Sequence, residues 1–490
     1  MTNIGINLVE VDGRATPSIQ GAATSVAGLL GRTTRGVPNV VCNVTSFAEF
    51  VAKFGTYRSG AVLAYAIKGF FENGGSQAYV ARIVDAAAAA SKTPAAKMTG
   101  KNVGVVLSAA SLGLDDPGPW GDKISVKIDR VALASTWTLY VQYDGKDVET
   151  WDQLPFSAAA AAKINDEATG SKYVKLTWPA ATTDLDPLAW TALAGGSDAL
   201  TAASIKASAL AAISSGIFDT SDVQLIGCPD TTDTAVLVAG KDYCAGRGDC
   251  IYIAATPDAE DADASVTTWS AQRAQNVYAA VYFPHIRVVD PGVGTIWIPP
   301  VGHVMGVYAR TELERGIWKA PAGVQANVRG VLDVHTHISD TTHTNLVKIG
   351  GVNAVRYIAG QGIVLDSSRT LSASPLWQFV NVRLLFNYVK SSLKNSLRWV
   401  VQEPNDPTLW NKVKHNSVVP FLTDLWRRGA FGPGAKDEVF SVKIDMENNP
   451  PANIQQGILN IEVYFYPSRP AETFIITVGQ QEGGPSASES

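Results

Sequence analysis

Three histidines within a short span are the residues best suited to bind a metal ion. His335 and His337 are two positions apart, so they lie on one face of an extended strand, and His343 follows closely. Imidazole pairs at this spacing can bind zinc. No cysteine or carboxylate clearly completes the ligand set, so ordinary strand and loop histidines are the alternative, and we assign neither a metal nor a cofactor.

A second set of chemically active side chains is acidic. Asp115, Asp116 and Asp122 surround the turn Gly118–Gly121, and clustered carboxylates of this kind bind calcium or act as paired catalytic acids. A turn with solvated carboxylates has the same pattern. The tripeptide Arg247-Gly248-Asp249 resembles a motif that some cell-surface receptors recognise, and a chance occurrence is the alternative.

Motifs that position phosphates or nucleophiles are absent from the sequence. It contains no GxxxxGK[ST] loop, no GxSxG elbow and no complete dinucleotide fingerprint. Four cysteines form no CxxC pair and are too sparse for a disulfide framework, so we expect buried thiols: Cys42, Cys228, Cys244 and Cys250. The sequence therefore predicts a chain that is not an enzyme.

Composition and charge limit the possible partners. The chain has 490 residues, 46% of them hydrophobic, which is enough to form several domains with sizeable cores. A formal net charge of −5 favours neither nucleic acid nor an anionic membrane as a partner. The first residues lack a signal-peptide pattern, and no apolar run is long enough to span a bilayer. We expect a cytosolic protein.

Buried strands alternate with helices in the first part of the chain. The run 25–31 predicts a strand, Thr45-Ser46 precedes a capped amphipathic helix through Phe54, and a further helix ends at Asn73 before a strand at 77–84. The same alternation resumes after Leu200. The expected fold is α/β or α+β with mixed sheets flanked by helices.

Between these two parts the composition changes. Residues 86–97, AAAAASKTPAAK, predict a linker or exposed loop, and short β-like segments separated by turns follow to about residue 196. We predict an inserted, mostly β domain at 91–200, which divides one α/β domain into residues 21–90 and 201–365.

Two helices and two strands are predicted near the C-terminus. Apolar residues spaced three or four apart run from Phe379 to Val400, opened by Ser374-Pro375, and a helix from Asp406-Pro407 is kinked or restarted at Pro420 before Gly429. Residues 366–478 are expected to form a C-terminal domain, and residues 479–490 to be disordered.

Short strands at both chain ends have no obvious partner. They leave unpaired backbone groups, which another chain's sheet can satisfy, although pairing within the domain is the alternative. The apolar residues of the two strands are Ile4, Ile6, Leu8, Val9 and Val11, and then Phe474, Ile475, Ile476 and Val478. A possible acceptor strand alternates Leu459, Ile461, Val463 and Phe465 with polar residues and tyrosine.

Several segments resemble contractile tail sheath proteins, found in phage tails and phage-derived injection systems. They are VEVDG…PSIQGAATSVAGLLGRTTRG, VTSFAEFVAKFG, YAIKGFFENGGSQAYVARI, PPVGHVMGVYARTELERGIWKAPAG (residues 299–323), RTLSASPLWQFVNVRLLFNYVKSSLKN and LWRRGAFGPGAKDEVFSVKIDMENNPPANIQQGILNIEVYFYPSRPAETFIITV. The resemblance covers roughly residues 5–85 and 215–478. One departure is Ile363–Thr370, where family members usually have a tryptophan-glycine-alanine run.

The resemblance implies a subunit that forms stacked hexameric rings around an inner tail tube, with baseplate and tail-terminator proteins as further partners. Residues 1–20 and the C-terminal strand would be arms that add strands to neighbouring subunits. Assembly would occur in the host cytoplasm, and contraction would drive the tube through an envelope.

The family places the C-terminal region next to the tube. Six cations of its helices are therefore candidates for tube contacts, with a solvated helix face as the alternative: Lys390, Lys394, Lys412, Lys414, Arg427 and Arg428. The inserted domain is expected to face outward. An adhesive or glycan-acting protein that uses this insert is the alternative function.

Overall fold

A computed structural model describes residues 18–130, 135–198, 201–258 and 260–472. Its strands are β1 (Ala27–Gly31), β2 (Val41–Val44), β3 (Ala78–Arg82), β4 (Val106–Ser111), β5 (Leu114–Asp115), β6 (Ile124–Arg130), β7 (Thr136–Tyr143), β8 (Lys146–Pro155), β9 (Val174–Thr177), β10 (Leu188–Ala192), β11 (Leu225–Gly227), β12 (Ile251–Ala255), β13 (Ala279–Phe283), β14 (Ile286–Asp290), β15 (Gly294–Ile298), β16 (Asp333–Val334), β17 (Val352–Ile358), β18 (Gly362–Leu365), β19 (Phe440–Lys443) and β20 (Glu462–Phe465).

The α-helices are α1 (Phe47–Phe54), α2 (Leu63–Glu72), α3 (Ala158–Ile164), α4 (Ala202–Ser214), α5 (Thr234–Arg247), α6 (Ala262–Ser270), α7 (Val301–Arg315), α8 (Asp340–Asn345), α9 (Val380–Ser396), α10 (Pro407–Asn411), α11 (Val419–Arg427), α12 (Lys436–Val439) and α13 (Pro451–Gln455). Two π-helical segments, Leu346–Gly350 and Lys412–Val418, follow α8 and α10.

The largest sheet has eight strands in the order β18-β17-β13-β12-β11-β1-β3-β2. Its six central strands are parallel, and the edge strands β2 and β18 are antiparallel to their neighbours. The chain moves from β1 to β3 on one side and later returns to β11 on the other, so the order reverses beside β1. This doubly wound arrangement confirms the predicted α/β fold class.

Helices cover both faces of this sheet because its strands alternate between two cores. Leu29 belongs to a core with α1, α2, α7 and α9, whereas Leu30 belongs to one with α4, α5 and α6. The pairing of α2 with α7 depends on glycine, since a Cβ at Gly302 would lie 2.0 Å from the carbonyl oxygen of Ala66. The segment 299–323 of the family resemblance thus contains a buried helix.

A third core lies under β4–β10 and α3. It joins a four-stranded sheet, order β10-β6-β7-β8, to a three-stranded sheet, order β5-β4-β9. The segment 86–97, predicted as a linker or exposed loop, has exposed residues and little regular secondary structure, but Lys92 bridges both Ser108 and Ala194 and Ser91 is completely buried. Alanine-rich composition indicated flexibility here, but small side chains also allow close packing.

The C-terminal helices differ from prediction at their ends. Helix α9 begins at Val380 and not at Ser374-Pro375. The residues just before the helix, 378 and 379, are extended and pair with residues 370 and 369. The helix from Pro407 continues through the π-helical segment into α11 and ends before Gly429, which has a φ of 84°. Pro420 has no N–H, and this explains the changed hydrogen-bond register before it.

Candidate functional site

The C-terminal sheet has two strands within the described part of the chain. β19 and β20 are antiparallel, with Phe440 opposite Phe465 and Val442 opposite Val463. Leu459 and Ile461 precede β20 rather than lying in it, and all four predicted acceptor residues are half-buried against the large core. A sheet of two strands leaves the outer edge of each strand without a strand partner among the described residues, and such edges can pair with further strands.

Aromatic rings fix this small sheet to the body of the protein. Phe386 of α9 stacks on Phe465 with ring centroids 4.2 Å apart and also contacts Trp377 at 4.7 Å. Phe465 in turn contacts Phe431 at 5.2 Å. Because aromatic pairs have preferred geometries, this chain of rings restrains the orientation of β20 relative to α9.

The predicted arm residues at 4–11 and 474–478 lie outside the described residues, but the segments next to them are described. At the N-terminal side, the backbone N–H groups of Gln20 and Ala22 donate to Ser396 and Ser392. At the C-terminal side, the Asn381 amide donates to the Ser468 carbonyl at 3.1 Å. These anchors lie near opposite ends of α9, separated by about 22 Å of helix at about 1.5 Å per residue.

The six cations predicted to face a tube do not share one environment. The ammonium groups of Lys390 and Lys412 lie over Tyr278 and Trp399, at 5.3 Å and 5.0 Å from the ring centroids. Arg428 contacts Asp424 at 3.5 Å. The remaining three, Lys394, Lys414 and Arg427, form no ion pair among the described residues, which leaves their charge available.

The three histidines do not converge. His335 lies 3.8 Å from Asp258, His337 lies 3.4 Å from Asp333, and His343 lies 3.5 Å from Asp366. Within the described ranges, no group of three or more histidine, cysteine or carboxylate side chains has the geometry to hold a metal ion. Each histidine has its own carboxylate partner.

The acidic set joins two parts of the fold. Asp116 is completely buried and lies 2.5 Å from Arg82, the last residue of β3 in the main sheet. Its carboxylate also accepts from the Gly36 backbone N–H at 2.6 Å and from Trp120 at 3.1 Å. Asp115 and Asp122 make separate contacts, with Lys175 and with Ser91. The sequence did not reveal that Asp116 has a buried cation as its partner.

The tripeptide Arg247-Gly248-Asp249 is engaged within its own chain. The Arg247 guanidinium contacts the Asp249 carboxylate at 2.9 and 3.0 Å and donates to the Phe218 carbonyl at 2.6 Å. Burial acts to lower the pKa of Arg247, but the hydrogen bond to Asp249, together with Cys250 and Tyr243, raises that pKa overall. The Arg247 and Asp249 side chains thus bind each other and are not presented to a receptor.

The crevice at the switch point of the large sheet is filled by a carboxylate of the chain itself. Asp230 follows β11 and accepts the backbone N–H groups of Arg32 and Val62, both at 2.6 Å. Val62 is the N-cap of α2, and doubly wound sheets bind anionic ligands at this position.

Burial raises the pKa of Asp230, and Arg32 opposes that shift. A Cβ at Gly31 would lie 2.4 Å from this carboxylate. Asp230 thus blocks the usual ligand position.

Comparison with known families shows which class of protein this chain resembles. Residues 372–481 match the phage tail sheath C-terminal domain family. The described helices include none long and apolar enough to cross a membrane. The resemblance of the sequence to contractile tail sheath proteins is confirmed.

Particular relatives and structures show how far the similarity extends. The tail sheath protein of Vibrio phage KVP40 is 30% identical over 176 residues, which is 35% of this chain and 25% of that protein. The contracted helical sheath of the anti-feeding prophage has a TM-score of 0.59 at 20% identity, covering 98% of this chain and 100% of the other. The contracted PVC sheath of an extracellular contractile injection system has a TM-score of 0.60 at 17% identity, covering 98% of both chains.

The two kinds of similarity carry different weight. The matched region spans only about a quarter of the length of the curated relatives. The structural matches extend over nearly the whole chain and establish that it has the fold of a contractile sheath subunit.

Proposed function

We propose that this chain is a structural subunit of a contractile tail sheath. It polymerises as stacked hexameric rings around an inner tube in a metastable extended state, and it contracts to drive the tube through a target envelope. The observation that carries this proposal is the similarity to sheath subunits over 98% of the chain. The sheath C-terminal domain at 372–481 supports it independently.

Neighbouring subunits are linked through their terminal arms. Ile4–Val11 and Phe474–Val478 add strands to the β19–β20 sheet of adjacent copies, and each main-chain hydrogen bond contributes about 0.5–1.5 kcal/mol net. The free pairing capacity of a two-stranded sheet supports this assignment. The anchoring of the two ends at opposite ends of α9 directs the arms towards different neighbours.

The surface facing the tube includes the unpaired cations Lys394, Lys414 and Arg427. Acidic groups on the tube protein would pair with them in the extended state and separate on contraction. Exposed ion pairs contribute little individually, so such contacts break easily while many together hold the extended lattice.

The energy for contraction is stored during assembly. The extended lattice lies above the contracted one in free energy, and the shared arms make the transition cooperative. Baseplate and terminator proteins cap the assembly, which forms in the host cytoplasm and functions in a virion tail or a related particle. The domain at 91–200 faces outward, away from the tube.

Negative-stain electron microscopy of the purified chain tests this function, alone and with its tube protein. We compare the full chain with a chain lacking residues 1–12 and with the matched control Lys97→Glu, an exposed charge reversal in the third core region. Ribbed hollow tubes from the full chain and the control, lost or shortened without residues 1–12, are expected. Monodisperse monomers under every condition would contradict the proposal.

A further inference from the structure

A polar groove of about 1080 Å³ lies beside the last described residues of the chain. One wall is the segment Ser468–Glu472, and other walls come from the end of α7 and the segment after it, from α8 with its π-helical extension, and from the segment between β18 and α9. Glu472, the last residue that the structure describes, is part of this wall.

The charges that line this groove are unbalanced. Its three carboxylates are already neutralised by arginines: Asp340 and Asp366 contact Arg356, and Glu472 contacts Arg369. Four lining cations form no ion pair among the described residues: Arg315, Lys319, Lys348 and Arg469. Burial and repulsion from Arg315 lower the pKa of Lys319, as expected where positive charge is uncompensated. The groove therefore attracts an acidic segment.

The wall formed by Arg469–Glu472 also has free backbone groups. Ser468 bonds to Ala430 and Asn381, but residues 469–472 form no backbone hydrogen bond within the part of the chain that the structure describes. An extended peptide in the groove would satisfy these groups by main-chain pairing.

The chain itself supplies a segment of matching chemistry and reach. Residues 479–490 contain Glu482 and Glu489 and no lysine or arginine. Residues 473–478 span at most about 20 Å when extended, at about 3.3 Å per residue, and this is enough to turn back along a groove that Glu472 already lines.

We propose that, in the unassembled subunit, the acidic C-terminal segment 479–490 docks in the groove beside Ser468–Glu472. Docking holds the apolar strand Phe474–Val478 against its own subunit and delays its pairing with a neighbour. This consequence rests on the proposed sheath function, whereas the docking itself is a property of the free chain.

Hydrogen–deuterium exchange of the dilute, unassembled chain tests the docking. The peptide 340–350 is followed in the full chain, in a chain ending at residue 478, in Lys348→Glu, and in the control Lys97→Glu, whose charge lies outside the groove. Exchange is expected to rise severalfold in the truncated chain and in Lys348→Glu, and also in the full chain at high salt, while the control stays unchanged.

A change confined to the tail makes the test independent of simple destabilisation of the groove. Glu482→Gln combined with Glu489→Gln leaves the groove intact and should raise exchange of the peptide 340–350 as the truncation does. Equal exchange in the full and truncated chains would overturn the docking even if sheaths form normally. Protection without any polymerisation would leave the docking standing and overturn the sheath function instead.

Discussion

Phe386 of α9 stacks on Phe465 of β20 with ring centroids 4.2 Å apart and an interplanar angle of 26°. This single contact joins the helix between the two chain-end anchors to the sheet that is proposed to accept arms. Movement of one element is therefore transmitted to the other, because packed aromatic rings resist independent rotation.

Replacing Phe465 by alanine should weaken this connection. We expect a loss of about 2 kcal/mol in the free energy of unfolding, below the full cost of removing a completely buried phenylalanine because Phe465 is only half-buried. Urea denaturation of the monomer measures the change. Tyr464→Ala is the matched control, because Tyr464 lies on the opposite face of β20 and is 63% exposed. Equal losses in the two variants would count against the role of the stack.

The buried pair Arg82–Asp116 should be essential for the connection between the main sheet and the third core. Asp116→Asn leaves Arg82 buried without a counter-charge, and we expect a loss of about 3–5 kcal/mol in unfolding free energy. Differential scanning calorimetry checks the loss. Asp115→Asn, next in sequence with a side chain 48% exposed, should change stability little. A small effect of Asp116→Asn would show that the pair is replaceable.

His303 should make the chain sensitive to acid. Complete burial is the main cause that lowers the pKa of His303 from 6.5 to about 4, and the nearby positive charge of Lys68 adds to this effect. The folded state therefore binds fewer protons than the unfolded state between these values, and stability falls as pH drops from about 6.5 to about 4. Between pH 7 and 5 the loss assigned to His303 is about 2 kcal/mol.

Denaturation of His303→Gln at both pH values measures this contribution. The variant should lose less stability on acidification than the parent by the stated amount, whereas His415→Gln, at an exposed position, should behave like the parent. Identical pH dependence of the parent and His303→Gln would refute the assignment.

Charge reversal at Lys414 should weaken assembly on the tube without unfolding the monomer. Lys414 forms no ion pair among the described residues, so Lys414→Glu replaces attraction to acidic tube groups with repulsion. Co-sedimentation with the tube protein at low and high salt measures the effect, with Lys172→Glu as an exposed control. Adding Lys412→Glu should deepen the defect. Unchanged co-sedimentation of the double variant would argue against tube contact here.

Local signals in the sequence predicted much of the fold. Ser46 caps α1 by accepting from the Glu49 N–H, and Asn73 ends α2 as expected from the glycines after it. These features depend on residues a few positions apart, where capping and periodicity act.

Contacts between distant residues were not predictable in the same way. Arg82 meets Asp116 across a domain-like boundary, and Arg32 meets Asp230 at the ends of the adjacent strands β1 and β11, which are far apart in sequence. One signal was available for Asp230, since it directly follows the buried strand run LIGCP and so lies at the ligand-binding edge of a doubly wound sheet. The arm residues lie outside the described part of the chain, and their role stays a prediction.

The anchoring of Gln20 to Ser396 and of Ser468 to Asn381 has a mechanical consequence for α9. A force applied to either chain end reaches this helix near one of its ends and acts along the helix axis. The helix therefore transmits the load between the two attachments. Along that axis the hydrogen bonds of the helix carry the tension together, turn after turn. Strain in a row of such subunits would therefore pass through stiff helices, and deformation would concentrate in the short segments beyond their anchors.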